Sequence, residues 1–161
     1  MAGKVTVNDA VWRDIRERMK RTAAVKIGVL SSKGGDQPHD AGSPLTLVEL
    51  AAVHEFGSPS RNIPARSFIR RTFDLKKDAI ERTIGALVRK IIHNQITYAK
   101  AFEILGAWGV AQVRVTITGG AGIPPRLKPA TIARKGSSRP LVDTGRLLQS
   151  ISYEVVWGGQ T

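Results

Sequence analysis

The chain has 161 residues, 42% of them apolar, no cysteine and a formal net charge of +12. That apolar content supports one packed domain over residues 1–161 and argues against global disorder. The missing cysteine excludes disulfide scaffolds, thiolate metal sites and cysteine nucleophiles.

In the N-terminal segment 1–22, NDAVWRDIRERMKR offers Asn8 or Asp9 as an N-cap. Val11, Trp12, Ile15 and Met19 follow at helical spacing, predicting an amphipathic helix over about 9–21 whose apolar stripe joins the core. That stretch lacks the apolar centre of a signal peptide, and no apolar run nears the about 18 residues that span a bilayer, so synthesis in the cytoplasm without membrane association is expected. AVKIGVL alternates Val25, Ile27 and Val29 and reads as a strand. Residues 31–44 form a polar Gly/Pro loop, long enough to be mobile or functional. Its Gly34-Gly35 pair lacks the Gly-Lys-Ser/Thr of a phosphate loop. In PLTLVELAAVHEFG, Thr46 and Glu49 form a capping box and Gly57 ends a short helix.

Pro59 and Pro64 keep the following stretch extended. From about Thr72 to His93-Asn94 a long amphipathic helix carries Phe73, Ile80, Ile84, Leu87, Val88 and Ile91 on one stripe. A second helix over about 97–114 sets Tyr98, Phe102, Leu105 and Val113 on one face, with Gly106 and Gly109 permitting close approach of a neighbour. Residues 118–140 have no apolar period and many breakers, so they read as a long basic loop. DTGRLLQS is a helical turn or two, and Ile151, Tyr153, Val155 and Trp157 alternate as a strand able to pair with residues 25–30. The expected fold class is α+β: a small antiparallel sheet packed by two or three helices, one of them long and amphipathic, with two long loops.

The excess positive charge lies in two stretches. Residues 61–90 hold nine Lys/Arg against three acids, and residues 114–146 hold seven against Asp143 alone. A polyanion such as nucleic acid, or an acidic protein neighbour, is the natural partner of such stretches. Catalytic chemistry finds little support. His39, His54 and His93 are far apart, and His54-Glu55 lacks the second histidine of a zinc motif because Ser58 stands there. His39 with Asp36 and Asp40 reads as a solvated loop. Asp74 and Asp78 fit dipole-complementing acids at the start of the long helix. The basic stretches lack the clustered carboxylates of a Mg²⁺ nuclease, so no enzyme, metal or cofactor is expected. Aromatic content is low for a base-stacking single-strand binder. Trp12, Phe73, Phe102, Trp108, Tyr153 and Trp157 lie on apolar faces, whereas Phe56 and Phe68 lie beside a turn or an extended segment.

Three stretches stand out in combination: AAVHEFGSPSRNIPARSFIRRTF, a helix of the LGAWGVAQVR kind, and PPRLKPATIARKGSSRPLVDTGRLLQSISYEV. Their order and spacing resemble the virion-morphogenesis, or tail-completion, family of tailed bacteriophages, which includes Mu-like and P2-like neck proteins. The resemblance covers roughly residues 45–156, and Ser67 departs from the Pro of the family pattern. It assigns Glu55, Phe56, Gly57, Ile63, Pro64, Ala65, Arg66 and Phe68 to the first motif, and Leu141, Val142, Asp143, Thr144, Gly145, Leu147 and Ser150 to the last. At those positions Pro64 suits an extended approach to the long helix, Gly57 a positive-φ turn, and Asp143 or Thr144 a cap with Gly145 keeping the turn tight.

The resemblance implies a virion structural protein, made in the host cytoplasm, that forms a homo-oligomeric ring, six copies in the expected arrangement and twelve as the alternative. The ring would lie between the head–tail connector and the tail terminator or tube, with packaged DNA passing through it. Arg70, Arg71, Arg126, Lys128, Arg134 and Lys135 are then candidates for non-specific contact with the duplex. The alternative is a free, sequence-independent nucleic-acid-binding protein.

Overall fold

The computed structural model of the chain describes residues 9–19, 22–119, 123–126, 128–135, 141 and 145–158. In chain order these hold α1 (Asp9–Met19), β1 (Ala23–Val29), α2 (Leu47–Phe56), α3 (Ile69–Ile92), α4 (Tyr98–Thr118), α5 (Pro129–Lys135), α6 (Arg146–Ser150) and β2 (Ile151–Trp157). The architecture is α+β, as the alternating and helical periods require. β1 and β2 pair antiparallel over their full length, with Val25 opposite Val155 and Ile27 opposite Tyr153.

α4 crosses both strands and α3 packs on α4. The approach of α4 depends on two residues without side chains: a Cβ on Gly106 would overlap the Tyr153 ring, and one on Gly109 would overlap Ile27 Cδ1. The close-approach role read for these glycines therefore holds, with the sheet as the neighbour. Phe68, Val113 and Ile151 form the driest part of the main core. Ala51 of α2, Leu147 of α6, Ile123 and Leu141 complete it. A second cluster joins Leu87 and Ile91 of α3 to Ala101 of α4. At the end of the sheet Trp157 meets Tyr98 and Phe102, each with ring centroids 6.0 Å away.

Four sequence expectations change. Trp12 of the α1 stripe does not join the core: it is 62% exposed, and among the described residues α1 contributes none to either core cluster. α3 begins at Ile69, three residues before the expected start at Thr72, and Ile84 of its stripe is exposed. α4 continues to Thr118. The segment 118–140 holds a further helix, α5, where composition alone reads as loop; Pro129 opens it, a position where the missing N–H of proline costs nothing.

The 31–44 segment is tied down along its length. Gly35 N–H donates to Leu30 O at 2.9 Å, Val48 N–H to Gly35 O at 3.0 Å and Leu47 N–H to Gln37 O at 2.9 Å. His39 Nδ1 and Ser43 Oγ are hydrogen-bonded at 2.6 Å within this loop. Among the described residues no three His, Cys, Asp or Glu side chains are grouped to hold a metal ion, and no helix is long and apolar enough to cross a membrane.

Candidate functional site

Glu55, Ser67 and Phe68 meet at the start of α3. Phe68, the residue before α3, offers no side-chain cap, and the first turn of α3 contains no acid. A helix N-terminus leaves backbone N–H donors without intrahelical partners. Here a carboxylate from another helix meets them. Glu55, on the last turn of α2, accepts from the N–H groups of Phe68 and Ile69 with Oε2, both at 2.9 Å, and from that of Arg70 with Oε1 at 3.0 Å. Ser67 Oγ donates to the same Oε1. So Ser67 is part of the cap.

Burial by itself raises the Glu55 carboxyl pKa, but hydrogen bonds from Ser67, Arg70, Ile69 and Phe68 together outweigh it and leave the net value lowered. The dipole-complementing role read for Asp74 and Asp78 is thereby corrected. With α3 starting at Ile69 they lie beyond its first turn, and the anion at the helix end is Glu55.

Between Glu55 and α3 the chain makes a compact turn. Gly57 adopts φ 79°, ψ 177°, a region occupied essentially by glycine alone. A Cβ there would also stand 2.8 Å from the Ala65 amide nitrogen. Ser58 and Ile63 bridge across the single 3-10 turn Pro59–Arg61, and Asn62 takes the left-handed conformation. The Arg66 N–H donates to His54 O at 2.6 Å, folding the Ile63–Arg66 strip back along α2. Phe68 then enters the core with no exposed surface, while Phe56 remains 69% exposed. The sequence left these two aromatics unassigned; the structure separates them into an anchor and a surface ring.

The second motif converges on the same place. Leu141 and Leu147 are buried in the cluster that holds Phe68 and Ala51, and Leu141 carries a positive φ of 64°. Gly145 occupies the N-cap position of α6 with φ 76° and offers no side-chain cap. The expected caps Asp143 and Thr144, together with Val142, lie outside the described residues. Ser150 Oγ donates to Leu147 O at 2.9 Å and closes the last turn of α6.

The two basic stretches also meet. Arg66 Nε donates to Pro125 O at 3.1 Å, next to Arg126 and four residues before Arg70. Arg70, Arg126 and Lys128 are exposed and Arg71 is half-buried. α5 carries Arg134 and Lys135 at its end, and their side chains lie outside the described part of the chain. The structure therefore joins the two stretches at one hydrogen bond. Ile123 and Leu141, both core residues, anchor the segment that bears α5.

Comparison with protein-family models, curated proteins and solved structures returns no match. The Glu55 cap is a feature that the local sequence pattern did not reveal. Its visible signal is negative: no residue at the start of α3 can cap it locally, so the cap has to come from elsewhere.

Proposed function

We propose that this chain is a structural subunit of a tailed-phage neck, a tail-completion protein that assembles as a ring at the head–tail junction. In this reading the ring has six copies, joins the connector to the tail and surrounds the DNA path. The observation that carries the reading is the convergence of the two motif blocks. Glu55 organises the entry to α3, Arg66 reaches Pro125, and Leu141 and Leu147 share a core with Phe68. Residues more than 70 positions apart in the chain thus act as one unit, and the resemblance rests on those same residues.

The exposed Arg70 and Arg126 adjoin that unit, and Lys128 follows in the same basic stretch. Repeated around a ring they would face packaged DNA or acidic neighbours without reading sequence.

The test is native mass of the purified chain across concentration, with and without a short duplex, at low and high salt. A discrete ring that forms without DNA and survives high salt is the expected result. A monomer whose duplex binding collapses with salt would overturn the ring and favour a free nucleic-acid-binding protein.

A further inference from the structure

The sheet has only two strands among the described residues, and its hydrogen-bonding pattern identifies what each strand leaves open. Gly158 N–H donates to Thr22 O at 2.6 Å, one step beyond the Ala23–Trp157 pair. In an antiparallel ladder, bonded and non-bonded pairs alternate. Lys26–Glu154 and Gly28–Ser152 are therefore bonded pairs, while Val25, Ile27, Tyr153 and Val155 turn their N–H and C=O groups outward. Ile151 fits this phase, because its outward carbonyl accepts from Arg114 Nη2 at 3.0 Å. Among the described residues no backbone partner meets the outward groups of Val25 and Ile27 on one edge, or those of Tyr153 and Val155 on the other. Open edges of this kind are templates for another strand.

We infer that the β1 edge of one copy pairs with the β2 edge of the next, so that a second copy of this chain extends the sheet head to tail. Charge selects this arrangement. Lys26 and Glu154 are the only charged residues in the two strands, and they point to the face away from α4 because Ile27 and Tyr153 point toward it. Fully overlapped pairing of β1 with another β1 would set Lys26 against Lys26, and β2 with β2 would set Glu154 against Glu154. Like charges directly opposite are destabilising. Pairing β1 with a neighbour's β2 in the register already used within the chain sets Lys26 beside the neighbour's Glu154. That pair is then of the non-hydrogen-bonded kind, in which side chains approach most closely.

Two strands span roughly 10 Å, about the width of one helix, which leaves room for the α4 helices of successive copies to lie side by side. A head-to-tail contact generates a ring or an open filament, never a closed dimer. The inference deepens the ring reading but rests on strand geometry rather than on the motifs.

The test uses proline at outward N–H groups, which removes an edge donor without removing a bond of the chain's own ladder. Val25→Pro blocks the β1 edge and Val155→Pro blocks the β2 edge. The wild-type chain is expected to show higher-order mass. Each variant alone is expected to be monomeric, and an equimolar mixture is expected to stop at a dimer, since one intact edge of each kind remains.

A wild-type chain that stays monomeric at about 1 mM, where even a millimolar dissociation constant would give detectable association, would overturn the inference. So would an oligomer that persists in both variants, which refutes the edge while leaving a ring intact. A dimer of the Val155→Pro chain alone would show like-edge pairing and also refute it. Should circular dichroism show either proline chain to be unfolded, charge reversal decides. Lys26→Glu and Glu154→Lys are each expected to lose the assembly, and an equimolar mixture of the two to recover it, because alternating copies then join opposite charges while the pair inside each chain stays like-charged; a mixture that stays dissociated overturns the pairing.

Discussion

Glu55 sits at the end of a short helix, yet its carboxylate organises the start of a long one. Removing it leaves three backbone donors and the Ser67 hydroxyl without their acceptor. Hydrogen bonds to a charged group contribute about 1.5–3 kcal/mol each and are not additive, so Glu55→Ala is expected to cost about 2–4 kcal/mol in urea unfolding. Glu55→Gln should cost a comparable amount, because its amide NH₂ would face donors rather than acceptors.

The pH dependence has a definite sign. The folded-state pKa of Glu55 is lowered, below an unfolded value of about 4.3. Its stabilisation is complete above that pH and is lost as pH falls through the folded-state value. The stability gap between wild type and E55Q should therefore narrow as pH falls from about 5 through the folded-state value, as checked by chemical denaturation at successively lower pH. A gap that stays constant would mean that the carboxylate charge plays no part.

At the scale of elements, the α4–sheet contact sets the tightest tolerance. Gly106→Val places a branched side chain where even a Cβ would overlap Tyr153. Overpacking of this kind costs about 1–3 kcal/mol, and α4 must lift from β2 to accept it. A thermal melt should report the loss, together with changed near-ultraviolet signal from Tyr98, Phe102 and Trp157. α1 predicts the opposite. Trp12→Ala should alter stability by no more than about 0.5 kcal/mol, as for other surface sites, because the side chain is largely in solvent. A large loss there would mean that α1 belongs to the folding unit.

Over the whole molecule, the Arg66–Pro125 bond brings two basic stretches together around one core, with α5 carried between the core anchors Ile123 and Leu141. If that surface binds duplex DNA, every phosphate it neutralises adds about 0.9 to the salt slope of binding. The double variant Arg126→Ala, Lys128→Ala should then reduce the slope by roughly 2, read from affinity at several salt concentrations. The same variant should leave native mass unchanged, since neither residue lies in the strands proposed to join copies.

Local patterns were legible in the sequence wherever the physics is local. The Thr46–Glu49 capping box is present on both arms, with Glu49 Oε2 accepting from the Thr46 N–H at 2.8 Å and Thr46 Oγ1 accepting from the Glu49 N–H at 3.2 Å. The alternation around Ile27 and around Tyr153 indicated the two strands, and the Gly106–Gly109 spacing indicated a face open to close packing. These signals arise from bonds and faces a few residues apart, so a short window of sequence contains all of their parts. Only the tertiary structure decided that Glu55 rather than Asp74 or Asp78 serves the start of α3, that Phe68 is core and Phe56 surface, and that Trp12 of α1 stays largely in solvent. An amphipathic period states that a face can be buried but not what will cover it, and a cap supplied from more than ten residues away leaves no mark in the local pattern beyond a helix start with nothing of its own to close it.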